Sequence, residues 1–131
     1  MGYQELIKFK DKLYLINDTP CIDFSFSLAL VDSLPAQFST LTFYLDPNQV
    51  KGELKLFRGK LTESFVPVGM NGAKTVNAIL KDKGIPAFQR LDWPVLYVED
   101  QPIGIPGVSL NRAFTPNPSL PSYLKVTFTA C

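Results

Sequence analysis

The sequence predicts an α+β domain that is mainly β, with short strands and one short helix at about residues 72–83. Three observations lead to this prediction. Apolar and polar residues alternate over several short runs, which is the period of a half-buried strand. Eleven prolines lie mostly between these runs and mark short connections. Only one stretch has helical spacing. The length of 131 residues fits a single domain, 1–131, with an ordinary hydrophobic core.

The strands are predicted from alternation and turn residues. Residues 6–9 and 13–16 flank Lys10-Asp11-Lys12 and predict a hairpin. Further alternating runs lie at residues 24–30, 41–45, 54–56 and 124–128. Glu99-Asp100, before Pro102, predicts a solvated turn. Most of the chain should therefore be extended.

The single helix is predicted from the spacing of Val76, Ile79 and Leu80, with Asn71 or Gly72 placed to begin it. Its end has a local signature. Gly84 stands where a left-handed residue closes a helix, Ile85 can contact Leu80, and Pro86 prevents continuation. We therefore expect one helix packed against the strands.

The chain contains no histidine. This excludes Ser-His-Asp and Cys-His catalysis and nearly all catalytic zinc sites. The two cysteines, Cys21 and Cys131, form no metal-spaced pair, and no basic and apolar leader opens the chain. No apolar run is long enough to span a bilayer. We expect no catalytic residue, no metal site, no membrane partner and a cytoplasmic location.

The net charge of +1 conceals an asymmetry. Residues 51–90 hold eight basic and three acidic residues, a net charge of +5, and the remainder carries −4. Such segregation suits a domain that presents a positive face to a polyanion. An unevenly charged solvated surface is the alternative, and charge alone does not decide between them.

The segment from Gly69 to Thr75 superficially resembles a phosphate-binding loop of the Walker A type. That loop needs its second glycine directly before the lysine, whereas Ala73 separates Gly72 from Lys74 here, so nucleotide hydrolysis is rejected. A helix start with Lys74 beside it could still hold one phosphate. An ordinary loop before a helix is the equally weighted alternative.

An ordered set of short motifs runs along the chain. The segments are Leu6-Ile7-Lys8-Phe9-Lys10-Asp11-Lys12-Leu13-Tyr14-Leu15, Arg58, Phe65-Val66-Pro67-Val68-Gly69, Gly72-Ala73-Lys74, Gly84-Ile85-Pro86-Ala87-Phe88-Gln89-Arg90, Trp93-Pro94-Val95-Leu96 and Ile103-Gly104-Ile105-Pro106-Gly107-Val108. Together they resemble the C-terminal domain of bacterial tRNA(Ile)-lysidine synthetase (TilS). The resemblance implies a small barrel-like domain of short antiparallel strands, shared with part of the phenylalanyl-tRNA synthetase β subunit.

The resemblance also implies a function. The parent enzyme would be the ATP-dependent ligase that attaches lysine to the wobble cytidine of isoleucine tRNA. ATP and lysine would be bound by an ATP-pyrophosphatase domain with a Ser-Gly-Gly-x-Asp-Ser loop, which this chain lacks, so we expect no cofactor here and no ATP hydrolysis by the chain alone. Its partners would be isoleucine tRNA and the catalytic and helical domains of the enzyme, with no DNA expected.

The resemblance and the charge pattern together select five candidate RNA-binding residues. The family's helix usually carries a denser basic run, and Thr75, Asn77 and Ala78 occupy positions expected to be basic. The basic residues that remain are Arg58, Lys60, Lys74, Lys81 and Arg90. Arg90 has an alternative structural role, bracing its turn against Asp92 or a carbonyl. The leading function is recognition of the tRNA body through phosphates and duplex shape; the alternative is a protein-interaction or architectural domain that positions a catalytic partner.

Overall fold

The computed structural model describes residues 24–58 and 60–130, and within them the fold is an α+β domain dominated by antiparallel strands. The predicted fold class is confirmed. The strands are β1 Phe24–Val31, β2 Thr42–Leu45, β3 Leu54–Phe57, β4 Ser64–Phe65, β5 Lys74–Thr75, β6 Val95–Val98, β7 Gln101–Ile105, β8 Ser109–Leu110 and β9 Tyr123–Ala130. The helices are α1 Val76–Asp82 and α2 Ala87–Arg90, and 3-10 turns lie at Pro47–Gln49 and Arg112–Phe114.

Three sheets organise these strands. The first sheet has the order β1-β9-β2, the second β3-β6-β7-β8, and the third pairs β4 with β5. In the first sheet β1 runs antiparallel to the whole of β9, from Phe24 opposite Ala130 to Val31 opposite Tyr123. β2 pairs with the other side of β9. The alternating runs at 24–30, 41–45, 54–56 and 124–128 thus all fall on strands.

Strand β6 lies between two hydrophobic cores. Leu96 and Val98 belong to the core shared with the first sheet, while Val95 and Tyr97 belong to the core shared with α1 and β4. All four residues are buried. A strand buried on both faces has no apolar and polar alternation, so β6 could not be predicted from alternation.

Helix α1 begins at Val76, four residues later than predicted. Lys74 and Thr75 are extended and pair with Phe65 and Ser64. Thr75 is the N-cap residue, and its Oγ1 accepts a hydrogen bond from the amide of Ala78 at 3.1 Å, the usual role of a threonine in that position. The prediction of a helix over 72–83 is corrected to Val76–Asp82, because Lys74 and Thr75 form a strand that pairs with β4 and so cannot belong to the helix.

The end of α1 is as predicted. Gly84 has φ +85°, the left-handed conformation that favours glycine. The Gly84 amide donates a hydrogen bond to the carbonyl of Lys81, and the Ile85 amide donates one to the carbonyl of Leu80, both at 3.0 Å. These two bonds form a Schellman motif. Ile85 also packs against the core to which Leu80 belongs.

Helix α2 and the turn between β6 and β7 are the two remaining elements with a bearing on the sequence predictions. α2 was not predicted, because four residues are too few to show helical periodicity. The turn at Glu99 and Asp100 joins β6 to β7 as expected, with Glu99 at φ 54°. In the described part of the chain, no helix is long and apolar enough to cross a membrane. The predicted hairpin at 6–16 and both cysteines lie outside the described residues.

Candidate nucleic-acid interface

The five predicted site residues fall on four neighbouring pieces of the chain. Arg58 directly follows β3, and Lys60 begins the loop that leads to β4. Lys74 lies in β5, Lys81 in the last turn of α1, and Arg90 at the end of α2. Their usefulness as RNA ligands depends on what each side chain already contacts.

Lys74 is engaged in an ion pair. Its Nζ contacts Oδ2 of Asp82, at the other end of α1, and its side chain is 34% exposed. A partly neutralised ammonium group offers less to a phosphate than a free one. Lys74 also lies in β5, before α1, whereas Lys81 lies in the last turn of α1.

The amino end of α1 is closed by protein acceptors. The amide of Val76 donates to the carbonyl of Glu63 at 2.8 Å, and that of Asn77 donates to the carbonyl of Leu61 at 3.1 Å. The amide of Ala78 is capped by Thr75. A phosphate would have to displace these bonds to reach the helix start. The structure therefore favours the ordinary-loop interpretation of this segment over a phosphate site.

Arg90 anchors α2 to its surroundings. Its Nε donates to the carbonyl of Ile85 at 2.9 Å, and one terminal nitrogen donates to Oδ1 of Asn77 at 3.3 Å. The predicted bracing against a carbonyl is therefore present, and the carbonyl belongs to Ile85. A guanidinium has five N–H donors, so these two bonds do not exhaust its donor capacity.

Asn77 binds Arg90 directly and lies near Lys60 and Lys81 in the fold. Its amide binds the carbonyl of Leu61, next to Lys60, and its side chain accepts from Arg90. Lys81 lies four residues after Asn77, hence on the same side of α1. We call the surface formed by Lys60, Lys81 and Arg90 around Asn77 the basic edge. Lys60 and Lys81 are exposed, and neither is within ion-pair distance of a carboxylate among residues 24–58 and 60–130.

A chain of contacts holds the loop that carries Lys60. The Lys60 ammonium lies 5.8 Å from the centre of the Phe57 ring, and that ring meets the Tyr97 ring edge-on at 5.7 Å. The Tyr97 hydroxyl donates to Oε1 of Glu63 at 3.0 Å. The backbone of Glu63 in turn binds the start of α1. The loop is thus attached to the sheet on one side and to the helix on the other.

Two exposed apolar side chains in this region were not predicted from the sequence. Phe88 in α2 is 72% exposed and Leu91, just after α2, is 59% exposed. An element of four residues has no periodicity that would identify its apolar residues as exposed. The only available signal was their position close to Arg90, which lies two residues after Phe88 and directly before Leu91.

A groove is present whose lining includes none of the basic-edge residues. It has a volume of about 520 Å³ and is lined in part by Asn48, Lys51, Ser64, Gln101 and Phe114. Lys51 is the only charged residue in its lining. In the described residues, no three His, Cys, Asp or Glu side chains are grouped so that they could hold a metal ion. The basic edge is therefore the region best suited to a polyanion.

Comparisons with known proteins agree with this architecture. Residues 54–123 match the family model for the TilS substrate C-terminal domain. A tRNA(Ile)-lysidine synthase of Symbiobacterium thermophilum is 30% identical over 95 residues, which are 72% of this chain and 20% of that protein. The chain thus spans about a fifth of the length of this relative.

Two solved structures share the fold. A crystal structure of a TilS C-terminal domain superposes with a TM-score of 0.71 at 21% identity, over 82% of this chain and 84% of that one. An N-terminal fragment of the phenylalanyl-tRNA synthetase β subunit from Pyrococcus horikoshii superposes with a TM-score of 0.54 at 16% identity, over 66% and 27% of the two chains. At these identities the two structures show the fold alone.

Proposed function

The chain belongs to the TilS substrate C-terminal domain family, and on that premise we propose that it is the tRNA-binding part of a tRNA(Ile)-lysidine synthase. In that enzyme, ATP and lysine would bind a catalytic domain outside this chain. The partners would be isoleucine tRNA and the remaining domains of the enzyme, in the cytoplasm. The domain would contact the tRNA body through phosphates and duplex shape.

The observation that carries the proposal is the basic edge. Lys60 and Lys81 are exposed without a carboxylate partner among the described residues, and Asn77 holds Arg90 beside them. Cations that neutralise phosphates release bound counterions from RNA, so the affinity should fall as salt rises. With about three to five such contacts, binding by the chain alone should be weak at physiological salt. An apolar protein interface would depend much less on salt.

A charge-reversal experiment tests the proposal. The variant Lys60→Glu with Lys81→Glu breaks no ion pair of the described residues, whereas Lys74→Glu would place a second carboxylate beside Asp82. We expect the double variant to lower the affinity for isoleucine tRNA at low salt at least tenfold. Its plot of log affinity against log salt should lose about two units of slope, roughly one for each phosphate contact. The measurement is a titration of labelled tRNA at several salt concentrations.

The control is a second double variant, Lys51→Glu with Lys125→Glu. Each of the two double variants changes the net charge from +1 to −3. Any nonspecific effect of net charge on RNA binding is therefore the same in both. Lys125 lies on β9 between Leu124 and Val126, which pack on the core, and therefore faces the outer side of the first sheet. Equal losses in the two double variants, or no dependence of binding on salt, would contradict RNA binding by the basic edge.

A further inference from the structure

The two sides of α2 have opposite character. Arg90 is half-buried and bonded to Ile85 and Asn77, which fixes this short helix against α1. Phe88 and Leu91 are three residues apart, hence neighbours on a helical surface, and both side chains are mostly exposed. The helix is thus held from one side and presents an aromatic ring on the other.

The Phe88 ring has no aromatic partner in the described part of the chain. The other strongly exposed phenylalanine, Phe38 at 64%, meets the ring of Tyr44 edge-on at 5.9 Å. Most of the Phe88 side chain is therefore open to a flat ligand. Phe88 is two residues from Arg90, which is bonded to Asn77 at the centre of the basic edge, so α2 carries the open ring at the border of that edge, on the side turned away from Asn77.

We propose that Phe88 stacks on an exposed nucleobase of the RNA bound at the basic edge. This inference rests on the proposed function and adds a recognition element to it, because phosphate contacts alone need no unstacked base. Open aromatic rings beside cations are how proteins bind unpaired bases, and such stacking tolerates any base. The base is either an unpaired nucleotide or the terminal base of a stem, since each offers a free face.

The charge around Phe88 favours RNA over a protein partner. Residues 81–90 contain Lys81, Lys83 and Arg90, and their one acidic residue, Asp82, is paired with Lys74. The centres of protein interfaces are depleted in charged residues. With Asp92 included, residues 81–92 keep a net charge of +1. An open ring on such a segment, next to Arg90 in the chain, suits a ligand in which flat bases alternate with phosphates.

Substitutions at Phe88 separate stacking from simple apolar contact. Phe88→Ala and Phe88→Leu should both raise the dissociation constant for tRNA about tenfold, because neither residue stacks, and Phe88→Trp should preserve the affinity. Phe38→Ala removes a ring of similar exposure elsewhere and should leave binding unchanged. Circular dichroism verifies that each variant is folded. Binding by Phe88→Leu that equals the unsubstituted chain, or equal losses at Phe88 and Phe38, would overturn the inference.

A fluorescent base analogue identifies the kind of base. A single-stranded RNA octamer and a blunt RNA duplex, each carrying 2-aminopurine at an end, are titrated with the 131-residue chain. Quenching that Phe88→Ala abolishes supports stacking, on an unpaired nucleotide if only the octamer responds and on a stem end if the duplex does. Salt-sensitive RNA binding without loss in Phe88→Ala would overturn the stacking and leave the proposed function standing. The absence of any RNA binding would overturn both.

Discussion

At the scale of single residues, Tyr97 makes the contact with the clearest chemical consequence. Its side chain is buried in the core against α1, and its hydroxyl donates to Glu63. Burial, the hydrogen bond to Glu63 and the negative charge of that carboxylate all raise the pKa of Tyr97 above its ordinary value of 10.0. A phenolate formed there would be poorly solvated and would face a second anion.

The raised pKa of Tyr97 predicts a loss of stability at high pH. The unfolded chain releases this proton from about pH 10 upward while the folded chain retains it, so the stabilisation is fully present below pH 10 and declines above it. The free energy of unfolding should fall by up to about 1.4 kcal/mol per pH unit relative to Tyr97→Phe. Urea titrations of both proteins at pH 9, 10 and 11 measure the difference. Parallel pH dependences of the two proteins would contradict the prediction.

This residue-level chemistry could not be predicted from the sequence. Tyr97 and Glu63 are 34 positions apart, and their contact depends on the register of β3 with β6 and on where the loop before β4 closes. The basic residues were predictable as types, because charge is visible in composition. Their bonding was not: Lys74 with Asp82 and Arg90 with Asn77 both require the folded geometry.

At the scale of elements, α1 shows which end of a helix can be predicted. Its carboxyl end is specified by three consecutive residues, Gly84, Ile85 and Pro86, and the predicted Schellman motif is present. Its amino end depends on Lys74 and Thr75 pairing with Ser64 and Phe65, about ten residues away in the chain. A local signal could be read from sequence, and a nonlocal pairing could not.

Replacement of Gly84 tests the helix end. We expect Gly84→Val to destabilise the fold by about 1–3 kcal/mol, because a β-branched residue is strained at φ +85°. Gly72→Val is the matched control. A Cβ at either position would meet no atom within 4 Å, but only Gly84 has a positive φ. Thermal unfolding of the two variants should separate them clearly, and equal melting temperatures would show that strain at Gly84 is negligible.

At the scale of the whole molecule, Gly104 permits the two main sheets to pack closely. A Cβ at this position would lie 2.7 Å from the carbonyl oxygen of Ser109 in β8 and 2.8 Å from the Phe43 ring of the first sheet. Both distances are shorter than a normal contact. The absence of a side chain at Gly104 thus sets the spacing between β7 and its neighbours in two directions.

Gly104→Ala should therefore be destabilising, although alanine is a small residue. The ring of Phe43 and the backbone of β8 would both have to move, and overpacking of a core typically costs about 1–3 kcal/mol. Chemical denaturation of Gly104→Ala and of Gly104→Ala combined with Phe43→Leu measures the effect. We expect the second substitution to relieve only the part of the strain that comes from the ring. If Gly104→Ala alone were as stable as the unsubstituted chain, the sheets could move apart without a measurable loss in the free energy of unfolding.

The general fold class was predictable because it needs only the count and type of elements. The arrangement of the elements was not. β6 is buried on both faces and so lacks alternation, and Leu28 and Leu30, which the alternation of β1 suggested as core residues, are 51% and 70% exposed. Within residues 24–58 and 60–130, β1 lies at the edge of its sheet, where apolar residues can lack a covering neighbour. Position within a sheet decides burial, and the pattern along one strand does not reveal it.

The order of the first sheet constrains how the chain can reach its native state. Among the described strands, β1 and β2 do not pair with each other, and both are joined through β9. Phe24 therefore finds its partner, Ala130, across more than a hundred residues. Pairings of such long range make folding slow, because the chain loses its freedom before the contacts form. During synthesis on a ribosome, the apolar strands β1 and β2 would lack their partner β9 until it had emerged. In that interval a nascent β domain is most exposed to aggregation.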